Sequence, residues 1–350
     1  MFEEYLGINE YSLPKQQKEI SLFKHLKRLD DHHTTNSEEY ARIKTALFNK
    51  GINSISDLPF LPVSIFKQAD ISSVKKENIY KVLKSSGTTG NVPSKIYLDR
   101  NTAKNQSLAL SHIMTHVLGQ ERLPMLIIDS LSVVKDRRSY SARGAGILGM
   151  SIYGKKHHYI LDDKMDLDRE ALSSFISKYN GQKILLFGFT FMVWKYLMAL
   201  EDNELDLSNA VLIHSGGWKK LLDQAVDNDT FKKRLKEKFG LNQLYNFYGM
   251  VEQVGSVYLE NNLGFLHCPN FSDVIIRNPK DFSVCEHGEK GLIQVVSVLP
   301  ESYPGHSLLT EDIGVIMGED DLEWKGKYFK ILGRASKAEL RGCSDTFQKK

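Results

Sequence analysis

Cysteine is scarce in this chain of 350 residues. Only Cys268, Cys285 and Cys343 are present. An odd number without paired metal-ligand spacing argues against both a disulfide framework and a zinc site. We therefore expect reduced thiols, which favours a cytoplasmic location.

Long hydrophobic runs are also missing. The longest apolar run, Ile184 to Trp194, is shorter than the roughly 20 residues that a membrane span needs, and Lys195 closes it. Glu3 and Glu4 stand where a secretory signal peptide would be basic. These absences predict a protein with neither a membrane span nor a secretion signal.

Neither sign of charge dominates. The chain has 46 Lys and Arg against 43 Asp and Glu, which gives a formal net charge of +3. A nucleic-acid-binding protein would show a concentrated basic face, whereas the Lys-rich segment 231–239 is explained more simply as the solvated side of a helix. We expect no nucleic-acid partner.

The most distinctive segment is a loop rich in hydroxyls and glycine. It lies between two short apolar runs, 80–83 and 96–98, which predict a β-hairpin. Its backbone N–H groups, hydroxyls and glycines suit phosphate oxygens, and its residues are Ser85, Ser86, Gly87, Thr88, Thr89 and Gly90. The usual nucleotide P-loop has a Lys directly after its second Gly, whereas Lys95 follows five residues after Gly90. A flexible surface turn is the open alternative.

After this loop, strand-like and helical segments alternate along the chain. Strands are predicted at 125–129, 183–187, 210–214 and 244–247, and helices at 102–117, 169–179, 191–200 and 230–239. Such alternation predicts an α/β fold with a largely parallel sheet, helices on its faces and ligands at the carboxyl ends of its strands. From Gly264 onward the pattern becomes β-rich, which predicts an antiparallel or barrel-like part.

The domain prediction follows from these changes of pattern. Ile20, Phe23, Leu26 and Leu29 recur every three residues, which predicts that they form the buried face of a helix from about residue 14 to 32. We expect one large domain, 1–332, followed by a tail, 333–350. Within the domain we expect a helical part, 1–60, an α/β part, 61–263, and a β-rich part, 264–332.

Two strand ends carry candidate site residues. Tyr248, Gly249 and Glu252 follow one strand, where an aromatic ring can lie beside a nucleotide and a carboxylate can hold Mg²⁺. The alternative is a Tyr packed on the sheet and a Glu favoured by a helix dipole.

The preceding strand ends in His214, and Gly216 and Gly217 follow it. The two glycines permit close approach of a base or sugar, and His214 can contact the carboxylate of a ligand. An ordinary turn is the alternative there.

Three further residues near the end of the chain are candidates. Asp312 lies between strands and can accept both hydroxyls of a ribose, although a solvated turn Asp is the commoner case. Arg334 can donate to a phosphate or a ribose. Cys343 lies near Arg341, a setting that can lower a thiol pKa, and a buried structural Cys is the alternative.

Taken in order, these motifs resemble those of the adenylate-forming superfamily of acyl and aryl ligases. The resemblance covers the phosphate loop, the aromatic and glutamate motif, the ribose aspartate and the hinge arginine. Within the superfamily, the stretches FGFTFMVW, SARGAGILGM, HSGGWKK and ELRGCS resemble the acyl-protein synthetases of the bacterial luciferase fatty-acid reductase complex. This closer resemblance runs from about Pro59 to the end of the chain.

The resemblance implies a fold, a reaction and its partners. The fold is the large N-terminal domain of adenylate-forming enzymes. The reaction is activation of a carboxylic acid, of the fatty class, by ATP with Mg²⁺, followed by transfer of the acyl group to a protein cysteine. An acyl-accepting reductase or a carrier protein is the implied protein partner.

The resemblance also implies roles for single residues. The implied catalytic residues are Thr88, Glu252, Arg334 and Cys343, with Glu252 as the metal ligand. Gly188, Phe189 and His214 are the residues that the resemblance implies for binding the acyl or carboxylate group. The implied ATP- and AMP-binding residues are Ser85, Ser86, Gly87, Thr88, Thr89, Gly90, Lys95, Gly216, Gly217, Tyr248, Gly249, Asp312 and Arg334.

The chain departs from the superfamily pattern at several points. Val251 replaces the usual Thr before the glutamate, and Lys337 stands where an acidic residue is common. Sixteen residues follow Arg334, so we expect the small C-terminal domain, and with it transfer to free coenzyme A, to be largely missing. Two alternatives stay open: a ligase that passes the acyl group to an external thiol or amine, and a non-catalytic nucleotide-binding carrier subunit.

Overall fold

The computed structural model describes residues 2–48, 50–85, 92–135, 142–202 and 204–335. The α-helices in this part of the chain are α1 (Glu3–Leu6), α2 (Lys15–Asn36), α3 (Glu38–Leu47), α4 (Ile65–Gln68), α5 (Arg100–Leu118), α6 (Ser132–Lys135), α7 (Ala142–Ser151), α8 (Arg169–Lys178), α9 (Thr190–Met198) and α10 (Asn228–Phe239). Short 3₁₀ helices lie at Ile55–Asp57, Lys76–Asn78, Lys219–Gln224 and Val251–Gln253.

Strands and helices follow one another in mixed order. The strands are β1 (Leu61–Pro62), β2 (Lys81–Lys84), β3 (Lys95–Leu98), β4 (Leu123–Ser130), β5 (Gly154–Leu161), β6 (Ile184–Phe189), β7 (Ala210–Ser215), β8 (Gln243–Tyr248), β9 (Tyr258–Glu260), β10 (Leu266–His267), β11 (Ser272–Arg277), β12 (Gly291–Ser297), β13 (Ser307–Glu319) and β14 (Lys327–Arg334).

The chain divides into two compact units. The first unit comprises Met1–Ile113, Gly249–Tyr258 and Phe265–Lys350, and the second comprises Met114–Tyr248 and Leu259–Gly264. The domain boundaries expected from the sequence, at residues 60, 263 and 332, stay a prediction.

The second unit contains a parallel sheet. Its strands lie in the order β8, β7, β6, β4, β5, and every neighbouring pair is parallel. All of β4 is buried, and Leu186, Val193, Leu212 and Leu235 contribute to a core that β6, α9, β7 and α10 share. A strand covered on both faces needs a nearly continuous apolar run, which is why the sequence revealed these strands. The predicted α/β alternation is confirmed.

The sequence prediction omitted β5 and α7. Five consecutive residues of β5, Lys155 to Tyr159, are exposed or half-buried, so this edge strand lacks the apolar run that marks β4 and β6. The GAGILGM segment of α7 contains three glycines, which weaken a helical signal.

The first unit contains mostly antiparallel strands. β11, β12, β13, β14 and β10 are neighbours in that order, and each pair is antiparallel. β1 adds to β13 in parallel, while β2 and β3 form a separate hairpin. The predicted antiparallel character of the region after Gly264 is confirmed.

The buried face of α2 differs from the prediction. Leu26 and Leu29 are buried as expected, but Ile20 is 67% exposed. The buried side instead follows a period near 3.6 residues and includes charged and polar side chains: Lys18, Leu22, His25, Leu26, Leu29, Asp30 and His33. Apolar spacing alone missed these residues because their burial depends on polar partners elsewhere in the first unit.

The helix ends follow ordinary capping chemistry. The Asp227 carboxylate accepts the Thr230 N–H at 2.7 Å to begin α10. Gly240, with φ of 67°, ends the same helix in the left-handed conformation. Gly119, with φ of 85°, likewise follows α5. In the part of the chain that the structure describes, no helix is both long and apolar enough to cross a membrane.

Candidate active site

The predicted site residues divide between the two units. Those described in the first unit are Ser85, Lys95, Gly249, Glu252, Asp312 and Arg334, and those in the second unit are Gly188, Phe189, His214, Gly216, Gly217 and Tyr248.

The hairpin that carries the predicted phosphate loop is present. Lys84 of β2 lies opposite Lys95 of β3. The Ser85 N–H donates to the Ser94 carbonyl at 3.1 Å, and the Ser94 N–H donates to Ser85 Oγ at 2.8 Å. These bonds hold the two ends of the loop together. The loop residues Ser86, Gly87, Thr88, Thr89 and Gly90 lie outside the described residues.

Lys95 lies at the start of β3 with its ammonium group accessible to solvent. Its Nζ is 3.1 Å from Asp70 Oδ1, and both side chains are exposed. Hydrogen bonds from Tyr97 and Lys95 lower the pKa of the Asp70 carboxyl. Because an exposed ion pair of this kind contributes little, a phosphate group can replace Asp70 as the partner of Lys95 at small cost.

The turn that carries Glu252 contacts β3 within the first unit. This turn is the 3₁₀ helix Val251–Gln253. Glu252 is half-buried, and its carboxylate has no hydrogen bond or ion pair with another residue in the described part of the chain. A carboxylate in that state, next to the strand that follows the phosphate loop, is available to a cation.

The residues around Glu252 fit a magnesium ion better than a transition metal. Among the described residues, no group of three or more His, Cys, Asp or Glu side chains could hold a metal. Mg²⁺ is commonly held by one or two carboxylates together with substrate phosphates, and it keeps several waters. A single carboxylate on a turn that contacts β3, the strand after the predicted phosphate loop, fits that coordination chemistry.

Asp312 and Arg334 are side by side in the first unit. They are register partners on β13 and β14, and Arg334 Nε lies 3.6 Å from Asp312 Oδ1. Glu311 lies 4.0 Å from the same guanidinium, and Thr310 Oγ1 accepts the Asp312 N–H at 3.1 Å. Arg334 remains 76% exposed. The pair therefore presents an acceptor and a donor together, which suits the hydroxyls of a ribose.

The second unit aligns its candidate residues at the carboxyl ends of parallel strands. Gly188 is the register partner of His214, and Phe189 is the partner of Ser215. Gly216 has φ of 84°, and a Cβ built there would lie 3.3 Å from the Phe189 ring. Glycine is therefore required for the turn that follows β7. Tyr248 ends β8 and is half-buried.

His214 is a buried, neutral histidine. Its Nδ1 lies 3.0 Å from Thr190 Oγ1, and its ring packs 4.8 Å from the Phe231 ring. Burial, with Lys232 nearby, lowers the pKa of His214 to about 3. Its Nε2 is buried without a hydrogen-bond partner in the described part of the chain. The imidazole therefore offers a hydrogen bond rather than a positive charge.

The sequence did not reveal an ion pair at the end of β4. Asp129 Oδ2 lies 2.8 Å from Arg143 Nε of α7, and the carboxylate is almost fully buried. Burial raises the pKa of the Asp129 carboxyl, while the Ser130 N–H and Arg143 act in the opposite direction. The sequence shows only an Asp at the end of an apolar run. Its partner could not be predicted, because Arg143 lies on a different element.

The two described cysteines are poor nucleophiles. Cys268 is buried, and burial raises its thiol pKa well above the ordinary value. Cys285 is half-buried, and burial together with Glu289 and Asp281 raises its pKa as well. Cys343 lies outside the described residues.

Curated relatives match almost the whole chain. One is the long-chain-fatty-acid–luciferin-component ligase of Vibrio harveyi, which is 22% identical over 346 residues, covering 96% of this chain and 89% of the relative. The ligase of the same name from Aliivibrio fischeri is 24% identical over 321 residues, covering 89% of this chain and 84% of the relative.

Solved structures of a ligase and of a luciferase-like enzyme share the fold. A 2-hydroxyisobutyryl-CoA ligase, solved in the postadenylation state with 2-HIB-AMP, has a TM-score of 0.67 at 14% identity, covering 92% of this chain and 69% of that one. A luciferase-like enzyme of the mealworm Zophobas morio has a TM-score of 0.51 at 18% identity, covering 80% and 63%. The predicted fold of adenylate-forming ligases is confirmed.

The family follows from the sequence match. The acyl-protein synthetase family LuxE matches residues 9–350. Because this match spans nearly the whole chain, the predicted enzyme class, an acid ligase that activates and transfers acyl groups, is confirmed. This protein belongs to the acyl-protein synthetase (LuxE) family.

Proposed function

We propose that this protein activates a long-chain fatty acid with ATP and then transfers the acyl group to the thiol of Cys343. The observation that carries the proposal is the contact between β3, which follows the phosphate loop, and the turn of Glu252. That contact supports a site in which the predicted phosphate loop and the Glu252 carboxylate act on the same ligand. Membership of the acyl-protein synthetase family supports the same reaction.

In the first step, an oxygen of the fatty carboxylate attacks the α-phosphorus of ATP. A bond forms between this oxygen and phosphorus, the α–β bridging bond breaks, and pyrophosphate leaves. The carboxylate is already an anion, so no general base is needed, and the protein contributes by positioning the reactants and neutralising charge.

The first unit supplies the groups for the nucleotide. Asp312 accepts the ribose hydroxyls and Arg334 donates beside it, which fits their 3.6 Å pairing. Lys95 and the loop Ser85 to Gly90 donate to phosphate oxygens. Glu252 would hold Mg²⁺, which supplies positive charge to the leaving pyrophosphate when bound.

We assign a second set of residues to the acid and the base. Gly216 and Gly217 allow close approach of the adenine, and Tyr248 and Gly249 border it. Gly188 and Phe189 border the acid. Burial lowers the pKa of His214 to about 3, so its ring is neutral. His214 therefore acts as a hydrogen-bonding group and not as a cation, and its contact with Thr190 orients the ring.

In the second step, the Cys343 thiolate attacks the acyl carbonyl carbon. A thioester forms, the bond to the phosphate oxygen breaks, and AMP leaves. The raised pKa values of Cys268 and Cys285 support this choice of acceptor. The thioester is then available to an acyl-accepting protein partner, such as a reductase or carrier protein.

The test is ATP–pyrophosphate exchange with a series of fatty acids, combined with intact-protein mass spectrometry. With tetradecanoic acid, ATP and Mg²⁺, we expect acid-dependent exchange and a mass increase of one acyl group. Exchange without a mass increase would contradict acylation of the protein and favour transfer of the acyl group to an external acceptor. No exchange with any acid would overturn the proposed activation step.

A further inference from the structure

Gln253 is the most deeply buried residue of the turn that carries Glu252. Only 1% of its surface is exposed. Its Nε2 donates to the Gly305 carbonyl at 2.9 Å and lies 3.4 Å from the Val295 carbonyl. If this buried position only had to fill space, an apolar side chain would be sufficient. A buried amide that reaches two backbone carbonyls of other segments is instead a specific attachment.

Three further contacts attach this turn, or the residues directly after it, to other segments of the first unit. A Cβ at Gly305 would lie 2.9 Å from the Glu252 carbonyl and would overlap the Tyr303 ring, so the two segments are in close contact. Gly255, with φ of 89°, approaches the backbone of Gln106 closely: a Cβ there would lie 2.9 Å from its Cα. Ser256 Oγ donates to Ser297 Oγ at 2.6 Å.

This attachment determines where Glu252 points. In a 3₁₀ helix, consecutive side chains are about 120° apart. When Gln253 is fixed inward, Glu252 must therefore leave the turn in a different direction. Its half-buried side chain makes no hydrogen bond or ion pair with the residues that the structure describes. Its N-cap residue, Met250, forms no side-chain capping bond, so the Gln253 amide and the contacts named above hold the turn.

We infer that Gln253 is a positioning residue for the metal-holding carboxylate of Glu252. Its amide fixes the turn against Gly305 and Val295, and thereby sets the Mg²⁺ dependence of ATP binding. The inference rests on the proposed role of Glu252. Mutation of a residue that orients a metal ligand typically lowers metal affinity or activity by about 10- to 100-fold.

The test measures ATP binding by calorimetry, with and without Mg²⁺, in the full chain. The readout is the factor by which Mg²⁺ tightens ATP binding. Gln253→Met keeps the size and removes the donor, so we expect this factor to fall on the order of tenfold, while ATP affinity without Mg²⁺ is unchanged. Should this variant fail to fold, Gln253→Asn, whose shorter amide cannot reach Gly305, is measured in its place.

Gln294→Met is the matched control. Gln294 is also a fully buried amide of the first unit, and its Nε2 donates to Ser307 Oγ at 2.9 Å. We expect this variant to lower the unfolding temperature and leave the Mg²⁺ factor unchanged. A folded Gln253 variant with the wild-type Mg²⁺ factor would overturn the inference.

Glu252→Gln separates the inference from the proposed function. If Glu252→Gln loses the Mg²⁺ effect and the Gln253 variants keep it, only the positioning role fails. If Glu252→Gln also keeps it, the metal assignment itself fails. Loss in both variants, with the Gln294 control unchanged, supports both statements.

Discussion

The Glu252 carboxylate gives the most direct test at the scale of single residues. Glu252→Gln keeps the shape and removes the negative charge. We expect acid-dependent pyrophosphate exchange to fall by about a hundredfold or more, since charge stabilisation by a metal is worth several kcal/mol. The unfolding temperature should not change, because the carboxylate has no internal partner in the described part of the chain.

Glu77→Gln is the control for that change. Glu77 also lies on a 3₁₀ helix of the first unit, Lys76–Asn78, and is exposed. Its replacement should leave exchange unaltered. Wild-type exchange in Glu252→Gln would reject the metal assignment.

Cys343 separates the two steps of the proposed reaction. Cys343→Ser should still form acyl-adenylate, because Glu252 and Asp312 are intact. The thioester should be absent, since a serine hydroxyl is almost wholly protonated at neutral pH, whereas a thiol is a few per cent thiolate and more nucleophilic. The measurement is hydroxylamine-sensitive labelling of the protein with radioactive tetradecanoic acid.

Cys285→Ser controls for labelling at another thiol. Cys285 is half-buried, and its pKa is raised, so the variant should be labelled like the wild type. Equal labelling of Cys343→Ser, or loss of labelling in Cys285→Ser, contradicts the proposed acceptor.

At the scale of elements, a buried polar network joins α2, α3 and the segment before β13. The Tyr40 hydroxyl donates to Asp30 Oδ1 at 2.7 Å, and Lys44 Nζ donates to Asp30 Oδ2 at 2.6 Å. The His306 ring stacks on the His33 ring at 4.9 Å. His33 Nδ1 and Ser73 Oγ are 2.8 Å apart. The two helices are thus attached through groups that must keep a particular protonation state.

This network predicts loss of stability in acid. Burial lowers the pKa of His306 to about 4, with Lys44 and His32 acting in the same direction and Asp30 opposing. The unfolded histidine binds a proton near pH 6.5 and the folded one does not. Stability is therefore full above pH 6.5 and falls as the pH decreases toward 4, by about 3 kcal/mol from His306.

Urea unfolding at a series of pH values measures this effect. His306→Gln should flatten the dependence between pH 6.5 and 4, although it lowers stability at neutral pH. His287→Gln, at an exposed position, should leave the dependence as in the wild type. An unchanged slope in His306→Gln would show that other groups control acid unfolding.

At the scale of the whole molecule, nucleotide binding should appear as thermal stabilisation. A ligand at a hundred times its dissociation constant stabilises the folded state by about 2.7 kcal/mol. For a chain of this size, that corresponds to a rise of several degrees in unfolding temperature. ATP with Mg²⁺ should produce this rise in the wild type.

Asp312→Ala should lose most of the ATP-induced rise in unfolding temperature. A charge-assisted hydrogen bond, such as the one proposed between Asp312 and the ribose, contributes about 1.5 to 3 kcal/mol. Asp281→Ala is the control, because Asp281 is an exposed turn aspartate whose side chain accepts hydrogen bonds from Ser283. This variant should show the same ATP-induced rise in unfolding temperature as the wild type. An equal ATP shift in Asp312→Ala and the wild type would identify Asp312 as a turn residue without a ligand role.

The sequence by itself determined the elements whose signal is local. Strands β4, β6 and β7 are buried on both faces, so each is a continuous apolar run. Helix α10 has its Asp227 cap and its Gly240 end. The order of four motifs along the chain was sufficient to predict the fold of adenylate-forming ligases, because a motif order needs no knowledge of distances.

Only the tertiary structure decided which residues meet. Asp312 and Arg334 are paired through the register of β13 and β14, which contains bulges that no local pattern specifies. Ile20 is exposed and His33 is buried on the same helix because their surroundings come from distant segments. Spacing encodes periodicity within one element, whereas burial, pairing and pKa depend on the elements that pack against it. The direction of Glu252, set by Gly305 and Val295 through Gln253, is of this second kind.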